Sequence, residues 1–372
     1  MILLLHNRYR TLGGEERVVE DLARMLPQEL GEEVQLLQRE SSAAGRARAT
    51  AGMLRGGLHP GEVAGAVRAS GARVVHAHNV LPQFGWRALE AARGAGARTV
   101  LHLHQYRLVC AVGTCLDPAG DDCTRCHGRD TRPGLRLGCR GSRAEGAVYA
   151  AAISAWSQRL VDSADALVAP SAFAVSRLRE LGAPLGGREV HVVANPVATP
   201  QLTAQPQSGS YAVCAARLAP EKGVDIAIRA CASAGVALTV AGDGPDEQKL
   251  RALAAELGAD VRFAGRLPGA ELEQLRAGAA LEVVPSRFAE TFGLSCAEAM
   301  AAGLPVAATS VGALAELLQA DDLVAPGDAA ALSSLVSRLW GDAAAGARNA
   351  AFIATHAAPS SVAKQLAAIY DG

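Results

Sequence analysis

Short apolar runs alternate with longer amphipathic segments along most of the chain. The runs are typical of buried strands, and the longer segments, such as Glu15–Leu30, repeat their apolar residues at helical spacing. The predicted strands of the first half are Ile2–Leu5, Val34–Leu37, Arg73–Val75, Thr99–Leu103, Ala166–Val168 and Val190–Val193. Strands that alternate with helices indicate a parallel sheet covered by helices on both faces.

This alternation stops in Pro196–Ser210 and then starts again. The segment is uncharged and rich in Pro, Gln, Ser and Thr, which predicts an interdomain linker. The predicted strands that follow are Tyr211–Ala215, Val236–Ala241, Val261–Ala264, Leu281–Val284 and Pro305–Ala308, with helices from about Val224, Asp246, Ala270, Ser295 and Asp328. We therefore expect two doubly wound α/β domains, residues 1–198 and 199–355, and a C-terminal helix, residues 356–372, packed back on the first domain. Ligands of such sheets bind beyond the carboxyl ends of the strands, so a cleft between the domains is the expected site.

Composition narrows the classes of function. The 36 Lys and Arg residues nearly balance the 37 Asp and Glu residues, so no basic field favours nucleic acid. Aromatic residues make up only 4% of the chain, which argues against stacking surfaces for single strands. We expect no nucleic-acid partner.

The N-terminal segment does not look like a signal peptide. Met1–Leu5 is apolar, but His6 and Arg8 follow at once, and the uncharged run Ala299–Ala315 is short for a membrane span and contains glycine and proline. A cytoplasmic protein is expected, with peripheral contact at the inner membrane face as a further alternative.

Two cations follow the first strand of the second domain. Arg217 and Lys222 lie between that strand and a helix that starts near Gly223, a combination that favours an anion site. Two solvated surface cations are the alternative. Only three of the 36 basic residues are lysines, so a lysine retained here indicates a need for a compact charge. Gly242 and Gly244 form a tight turn after the next strand, which by itself is a weak signal.

Two glutamates mark the segment after the fourth strand of this domain. Glu290 lies in the loop, Gly293 permits close backbone approach, and Ser295 begins a helix. The N–H groups of Gly293, Leu294 and Ser295 are expected to face a phosphate, and Glu298, placed in the first helical turn, to reach a ribose diol. Alternatively, Glu290 is a solvated acid and Glu298 a carboxylate favoured by the helix dipole.

These motifs together resemble one enzyme family. Arg217-Leu-x-x-Glu-Lys222-Gly, Gly242-Asp-Gly244-Pro and Glu290-x7-Glu298 are similar to the retaining glycosyltransferases of family 4. The resemblance implies the GT-B fold, two Rossmann-like doubly wound domains facing each other across a cleft. It also implies that Arg217 and Lys222 hold the donor diphosphate, Glu290 lies by the donor sugar and Glu298 binds the ribose. One departure is Ala216, where the family usually has glycine.

Other expected site residues come from both halves. The expected donor-binding residues are Gly13, Gly14, Gly242, Gly244, Phe292, Gly293, Leu294, Ser295 and Glu298, and the expected catalytic residues are His104, Arg217, Lys222 and Glu290. Gly13 and Gly14 match the family's Gly-rich loop, although a Gly-Gly pair is also a common turn. His104 matches a histidine at a strand end that could hydrogen-bond sugar hydroxyls, although Gln105 departs from the usual Asp or Asn. His76 and His78 are weaker candidates, and a histidine filling a strand end is the alternative.

A cysteine cluster suggests a structural metal. The four candidate zinc ligands are Cys110, Cys123, Cys126 and Cys139, with spacings of 12, 2 and 12 residues. Cys115 and His127 are alternative ligands, and unliganded thiols in a loop are the other interpretation. A subset of the family has a similar cysteine pattern. Four thiolates would leave no open position for catalysis, so such a zinc would be structural.

A basic segment, Arg125–Arg143, overlaps this cluster. Its six arginines accompany one acid, Asp130, and could face a phosphate, an acidic glycan or a membrane. A solvated basic loop is the equal alternative.

The sequence thus predicts transfer of a sugar from a UDP- or GDP-type donor to a hydroxyl acceptor. The acceptor would be a glycan, a lipid-linked sugar or a small natural product. The resemblance implies front-face substitution without a catalytic metal. A nucleotide-sugar epimerase and a non-catalytic sugar-nucleotide-binding protein are the alternatives.

Overall fold

The computed structural model describes residues 1–8, 13–40 and 45–372, which form two compact units. The first unit comprises Met1–Pro118, Cys123–Pro196 and Pro359–Gly372, and the second comprises Ala119–Asp122 and Val197–Ala358. Each unit is built on a six-stranded parallel sheet. The prediction of two doubly wound α/β domains is confirmed.

The sheet of the first unit has the strand order β2-β1-β3-β4-β5-β6. Its strands are β1 (Ile2–Arg8), β2 (Val34–Glu40), β3 (Val74–Ala77), β4 (Arg98–His102), β5 (Ala166–Ala169) and β6 (His191–Val192). Its helices are α1 (Gly14–Leu30), α2 (Gly45–Arg55), α3 (Pro60–Ser70), α4 (Gly85–Gly94), α5 (Arg132–Arg136), α6 (Arg143–Asp162) and α7 (Ala172–Glu180). Residues 2–5 of β1 are fully buried, which explains their continuous apolar run.

The sheet of the second unit has the order β12-β11-β10-β7-β8-β9. Its strands are β7 (Ala212–Ala215), β8 (Leu238–Ala241), β9 (Val261–Gly265), β10 (Leu281–Val284), β11 (Val306–Thr309) and β12 (Leu323–Val324). Its helices are α8 (Val224–Ala234), α9 (Glu247–Glu256), α10 (Gly269–Ala277), α11 (Leu294–Ala301), α12 (Leu314–Leu317), α13 (Ala329–Leu339) and α14 (Ala343–His356). In the middle of the sheet, β7 lies between β10 and β8, so the loops after these three strands are neighbours.

The last helix, α15 (Pro359–Asp371), belongs to the first unit. Its apolar residues Val362, Leu366 and Ile369 are buried, and it packs against α1. The hydroxyl of Tyr370 lies 2.8 Å from Nδ1 of His76, so the C-terminal helix also closes over β3.

Several element boundaries differ from those predicted. β1 continues to Arg8 and the predicted strand Val190–Val193 shortens to β6, because strand length depends on partners that a local pattern does not show. β12 was not predicted, since two residues carry no periodicity. The predicted linker contains a short 3-10 turn, Pro206–Ser208. No helix in the described part of the chain combines the length and apolar character that crossing a bilayer requires.

Close backbone packing holds α11 in the second unit. A Cβ atom at Gly346 in α14 would overlap the carbonyl oxygen of Gly303, two residues beyond the last residue of α11. We expect Gly346→Ala to lower the free energy of unfolding by about 1–3 kcal/mol through overpacking, measured by urea denaturation. Gly65→Ala in α3 is the matched control, because its Cβ meets open space and it should stabilise by about 0.5–1 kcal/mol. A stabilising Gly346→Ala would contradict this role.

Candidate functional site

The loop after β7 carries the two predicted cations of the second unit. Pro220–Lys222 forms a 3-10 turn, and Gly223 then enters α8 in a left-handed conformation with φ 64°. A Cβ at Gly223 would overlap the carbonyl oxygen of Pro285, so this turn is pressed against the loop after β10. Only glycine fits this position, and the contact brings the two loops together.

Lys222 and Glu290 form an ion pair across these loops. The Nζ atom of Lys222 lies 2.5 Å from Oε1 of Glu290, and the exposed fractions of the two side chains are 25% and 13%. The ammonium group also lies 5.2 Å from the centre of the Phe288 ring. Arg217, whose side chain is 51% exposed, pairs with Glu221 in the same loop. Lys222 is therefore held more rigidly than Arg217.

Glu290 is fixed through both its backbone and its carboxylate. The hydroxyl of Ser286 donates to Oε1 at 2.8 Å, and the same oxygen accepts the hydrogen bond from the Lys222 ammonium group. The Glu290 carbonyl accepts from the N–H of Ala313, and a Cβ at Gly312 would overlap the Glu290 backbone nitrogen. Within the described part of the chain, both side-chain hydrogen bonds end on Oε1, so Oε2 can receive a ligand hydroxyl.

The structure corrects the position expected for Glu298. α11 begins at Leu294, so Glu298 is its fifth residue and lies in the second turn instead of the first. Its Oε2 accepts a hydrogen bond from Nη1 of Arg276 at 2.8 Å. Its orientation therefore comes from a buried arginine and not from the helix N-terminus.

Arg276 is the centre of a buried charged network that the sequence patterns did not predict. Its guanidinium donates to both carboxylate oxygens of Glu282, at 2.7 and 3.1 Å, and to the Ser295 hydroxyl at 3.1 Å. Arg276 is 4% exposed and Glu282 is fully buried. One acid inside the apolar strand Leu281–Val284 was the available signal, since a buried charge needs a partner.

Burial and pairing act in opposite directions on this network. Burial alone would lower the pKa of the Arg276 guanidinium, but Glu282 and Glu298 outweigh burial and hold that pKa above its ordinary value. Burial raises the pKa of the Glu282 carboxyl, and Arg276 offsets part of the rise. The bidentate geometry keeps the pair charged inside the core.

The predicted glycine turns pack directly on the cationic loop. A Cβ at Gly242 would overlap the carbonyl oxygen of Ala216, and one at Gly244 would overlap that of Leu218. Gly293 is the N-cap of α11 with φ 89°, and the N–H groups at the start of a helix have no partner within the helix. Phe292 is buried in the core.

The second unit thus gathers most predicted donor residues at the carboxyl ends of β7, β8 and β10. The ion pair of Lys222 and Glu290, the cation Arg217, the glycine turns and the start of α11 follow these neighbouring strands. Positive charge and backbone N–H groups at one sheet edge are suited to a diphosphate.

The predicted glycines of the first unit lie at the start of α1. Gly13 is its N-cap, and the Gly13 N–H donates to Oε2 of Glu16 at 2.8 Å. Gly14 is the first residue of the helix. The Gly13 N–H is therefore already used within the unit.

His104 lies in a group of buried histidines at the carboxyl ends of β3 and β4. Its Nε2 is 2.8 Å from Nδ1 of His78, and its ring stacks on that of His102 with centroids 3.8 Å apart. Burial lowers the pKa values of His76, His78, His102 and His104 well below the ordinary value, for His76 to about 3. These imidazoles are neutral at pH 7.

Five thiols of the cysteine segment line one pocket of the first unit. They are Cys110, Cys115, Cys123, Cys126 and Cys139, and among the described residues none of them forms a disulfide bond. A hydrogen bond from the Cys115 thiol lowers the pKa of Cys110 to about 6, and burial raises that of Cys126 to about 11. Among the described residues, however, the group that brings three ligand atoms within 4.8 Å of one another is His76, His78 and His102.

Four arginines of the basic segment have partners within the unit. Arg125 pairs with Asp117, Arg132 with Asp130 and Arg140 with Glu145, while Arg129 donates to the Ser154 carbonyl. These contacts leave less free positive charge than the sequence suggests.

Comparisons with known proteins identify relatives of both halves. Residues 13–196 match the family model described as "Glycosyl transferase 4-like domain", and residues 200–351 match "Glycosyl transferases group 1". A glycogen synthase of Mycobacterium tuberculosis is 34% identical over 54% of this chain and 50% of that protein. The 2-deoxystreptamine glucosyltransferase of Streptomyces kanamyceticus is 37% identical over 37% of this chain and 38% of that protein. The alignments span half or less of these curated relatives.

Solved structures share the fold over the whole chain. Anabaena Alr3699/HepE in complex with UDP has a TM-score of 0.65 at 19% identity, covering 100% of this chain and 99% of that chain. Sucrose-phosphate synthase from Thermosynechococcus elongatus has a TM-score of 0.71 at 17% identity, covering 100% and 98%. At such identities the likeness shows the GT-B type of fold alone. Because the two family models together take in nearly the whole chain, it belongs to the glycosyltransferase family that they describe.

Proposed function

We propose that the chain transfers a sugar from a nucleotide-diphosphate sugar to a hydroxyl acceptor, with retention of configuration at the anomeric carbon. The observation that carries this proposal is the 2.5 Å ion pair of Lys222 and Glu290 at the carboxyl ends of β7 and β10. A lysine held in place by a carboxylate meets the need of a departing diphosphate for a fixed positive charge.

In this proposal the donor occupies the second unit. Lys222 and Arg217 bind the diphosphate, together with the N–H groups of Gly293, Leu294 and Ser295 at the start of α11. Oε2 of Glu290 accepts from a sugar hydroxyl, and Glu298, oriented by Arg276, accepts from the ribose diol. Gly242 and Gly244 keep side chains away from the cationic loop.

The nucleotide of the donor is UDP or GDP in our proposal. Solved structures with this fold include Anabaena Alr3699/HepE in complex with UDP and with UDP-glucose. One curated relative, from Corynebacterium glutamicum, is a GDP-mannose-dependent mannosyltransferase. Both kinds of donor carry the same diphosphate, which the cationic loop would bind alike.

The reaction proceeds by front-face substitution in this scheme. The anomeric carbon–oxygen bond to the diphosphate breaks, and the acceptor oxygen forms the new bond on the same face. The acceptor proton passes to the departing diphosphate oxygen. Lys222 and Arg217 stabilise the charge on that diphosphate, so the site acts through electrostatics and orientation.

Retention of configuration can also arise through a covalent glycosyl-enzyme intermediate, but the second unit fits this route less well. The covalent route requires a carboxylate free to attack the anomeric carbon. Glu290, the carboxylate placed beside the sugar in this proposal, has Oε1 bound to Lys222 and to Ser286. This pairing lowers its nucleophilicity and suits a binding role.

The acceptor is proposed to use the first unit, with His104 contacting an acceptor or donor hydroxyl. A glycan, a lipid-linked sugar and a small natural product all present such a hydroxyl. The relatives include a 2-deoxystreptamine glucosyltransferase and a phosphatidyl-myo-inositol mannosyltransferase, whose acceptors differ widely. The cytoplasmic location and the peripheral membrane contact stay predictions.

Donor turnover separates this function from its alternatives. Purified protein is incubated with UDP-glucose or GDP-mannose, with and without hydroxyl acceptors, and nucleotide release is measured. Acceptor-dependent release supports transfer. Conversion of the donor sugar without net release would indicate an epimerase, and binding without turnover would indicate a sugar-nucleotide-binding protein.

Substitution of Lys222, the lysine of the ion pair, tests most directly whether this site stabilises the departing diphosphate. Lys222→Ala is expected to lower kcat about 10²-fold or more, because the departing diphosphate loses a fixed donor. Lys249→Ala in α9 is the matched control and should keep normal kcat, since Lys249 lies outside the proposed donor site. Initial rates with the best donor measure both. Equal rates for Lys222→Ala and the wild type would contradict the proposal.

Variants of Arg276 can separate its effect on the position of Glu298 from its effect on the stability of the protein. Arg276→Met leaves Glu282 buried and unpaired, so we expect a loss of about 3–5 kcal/mol in the free energy of unfolding. Arg276→Met with Glu282→Leu should recover most of that loss. Both variants should still weaken nucleotide binding about tenfold, because Glu298 has lost the hydrogen bond from Arg276; calorimetric titration measures this.

One result would contradict the positioning role of Arg276, and a surface pair supplies the control for stability. A double variant that binds nucleotide like the wild type would show that Arg276 does not position Glu298. The exposed pair of Arg251 and Glu247 supplies the control, where Arg251→Met should cost less than about 1 kcal/mol.

We further propose that Cys110, Cys123, Cys126 and Cys139 bind a structural zinc ion. The four thiols line the same pocket, three of them are half-buried, and Cys110 has a lowered pKa that favours the thiolate a metal requires. The metal would draw these sulphur atoms together and tie down a segment whose only regular element is the short helix α5.

Metal analysis tests the cysteine site. Cys126→Ala is expected to lose about one equivalent of zinc and to lower the Tm, because a tetrahedral site with three ligands binds weakly. Cys231→Ala, a buried thiol in α8, is the control and should retain its zinc. Wild-type protein prepared with zinc that contains none at these cysteines would contradict the proposal.

A further inference from the structure

Three histidines of the first unit meet in its core, and none of them belongs to the proposed donor site of the second unit. His76 lies in β3, His78 follows β3, and His102 ends β4 beside it. One nitrogen from each lies within 4.8 Å of those of the other two. Their exposed fractions are 0%, 3% and 4%, so water does not solvate them from outside.

Four nitrogen atoms of this group have no hydrogen-bond partner among the residues that the structure describes. They are Nε2 of His76, Nε2 of His78 and both ring nitrogens of His102. Nearly all buried polar atoms in folded proteins are paired, and each exception needs an explanation. Four such atoms in one cluster indicate that a ligand belongs between the rings.

The Nδ1 atoms of His76 and His78 already have hydrogen-bond partners. Nδ1 of His76 lies 2.8 Å from the Tyr370 hydroxyl of α15, and Nδ1 of His78 lies 2.8 Å from Nε2 of His104. Histidines that bind metals typically present one nitrogen to the ion and hold the other through such a contact. Anchored Nδ1 atoms with bare Nε2 atoms match this arrangement.

We propose that His76, His78 and His102 bind a divalent transition-metal ion of the zinc type. Three neutral imidazoles are good ligands for Zn²⁺, and a fourth position would remain for water or another ligand. Metal binding would require the rings to turn from their present arrangement, in which those of His76 and His102 are stacked with centroids 5.4 Å apart. Its proposed ligands are neither the donor residues of the second unit nor the thiols of the cysteine cluster.

The metal would also act on His104. An ion on Nε2 of His78 leaves the His78 proton on Nδ1, which then donates to Nε2 of His104. His104 must therefore carry its own proton on Nδ1. This consequence rests on the proposed function, in which His104 contacts a hydroxyl; the metal site itself does not.

Cobalt substitution tests the site in the full-length protein. Metal is removed with a chelator, and the protein is titrated with Co²⁺ while the visible spectrum is recorded. The cysteine cluster would add thiolate charge-transfer bands, whereas three histidines give ligand-field bands alone. We therefore expect the Co²⁺-loaded Cys126→Ala variant to lose the charge-transfer bands but to keep ligand-field absorption. Added Zn²⁺ should displace the Co²⁺ and remove that absorption.

Histidine variants test whether the ligand-field absorption comes from Co²⁺ bound to these three residues. His102→Gln and His76→Gln are each expected to weaken Co²⁺ binding at least about tenfold, with folding checked by circular dichroism. His356→Gln is the matched control, because His356 is exposed on α14 and should not change binding. Unchanged spectra in both core variants would overturn the proposal.

The wild-type chain gives a test that does not depend on variant folding. If the wild-type chain binds no Co²⁺, or binds a single equivalent whose spectrum carries thiolate charge transfer, the histidine site is wrong. Such a result would leave the proposed sugar transfer intact, because donor turnover is measured independently.

Discussion

The second unit depends on one buried charge, the guanidinium of Arg276. It connects the end of α10 to Glu282 in β10 and to Ser295 and Glu298 in α11. The Ser295 hydroxyl also lies 2.8 Å from the carbonyl of Ala215 in β7. A buried charge is stable only while all of these partners stay in place, so the network fixes the start of α11 relative to two strands.

Backbone contacts at glycines set the positions of the loops around this network. Gly223, Gly242 and Gly244 each lie where a Cβ would overlap a carbonyl oxygen of a neighbouring loop. The charged network orients side chains, and the glycines bring the loops close enough for Lys222 to reach Glu290. Neither is sufficient alone, because an ion pair across two loops requires both the approach and the orientation.

Local patterns predicted the two α/β units and the loops that carry chemistry, because strand periodicity and turn residues are local properties. The same patterns placed Glu298 one turn too early, since they located the start of α11 one residue late. Arg276 and Glu282 were missed because their partnership joins a helix end to a strand, and no short motif encodes it. The convergence of His76, His78 and His102 likewise depends on strand order, which pairs β3 with β4.

The charges of the proposed donor site are paired before any donor binds. Lys222 is held by Glu290 and Arg217 by Glu221, so a diphosphate meets cations already in place but must compete with their carboxylates. The exposed Arg217 pair can open at little cost, whereas the more buried lysine pair is harder to open. Lys222 therefore need not release Glu290 to act: an ammonium group has three protons, enough to bind the carboxylate and the diphosphate together. The pair thus fits a site whose positive charge is oriented before the bond to the diphosphate begins to break.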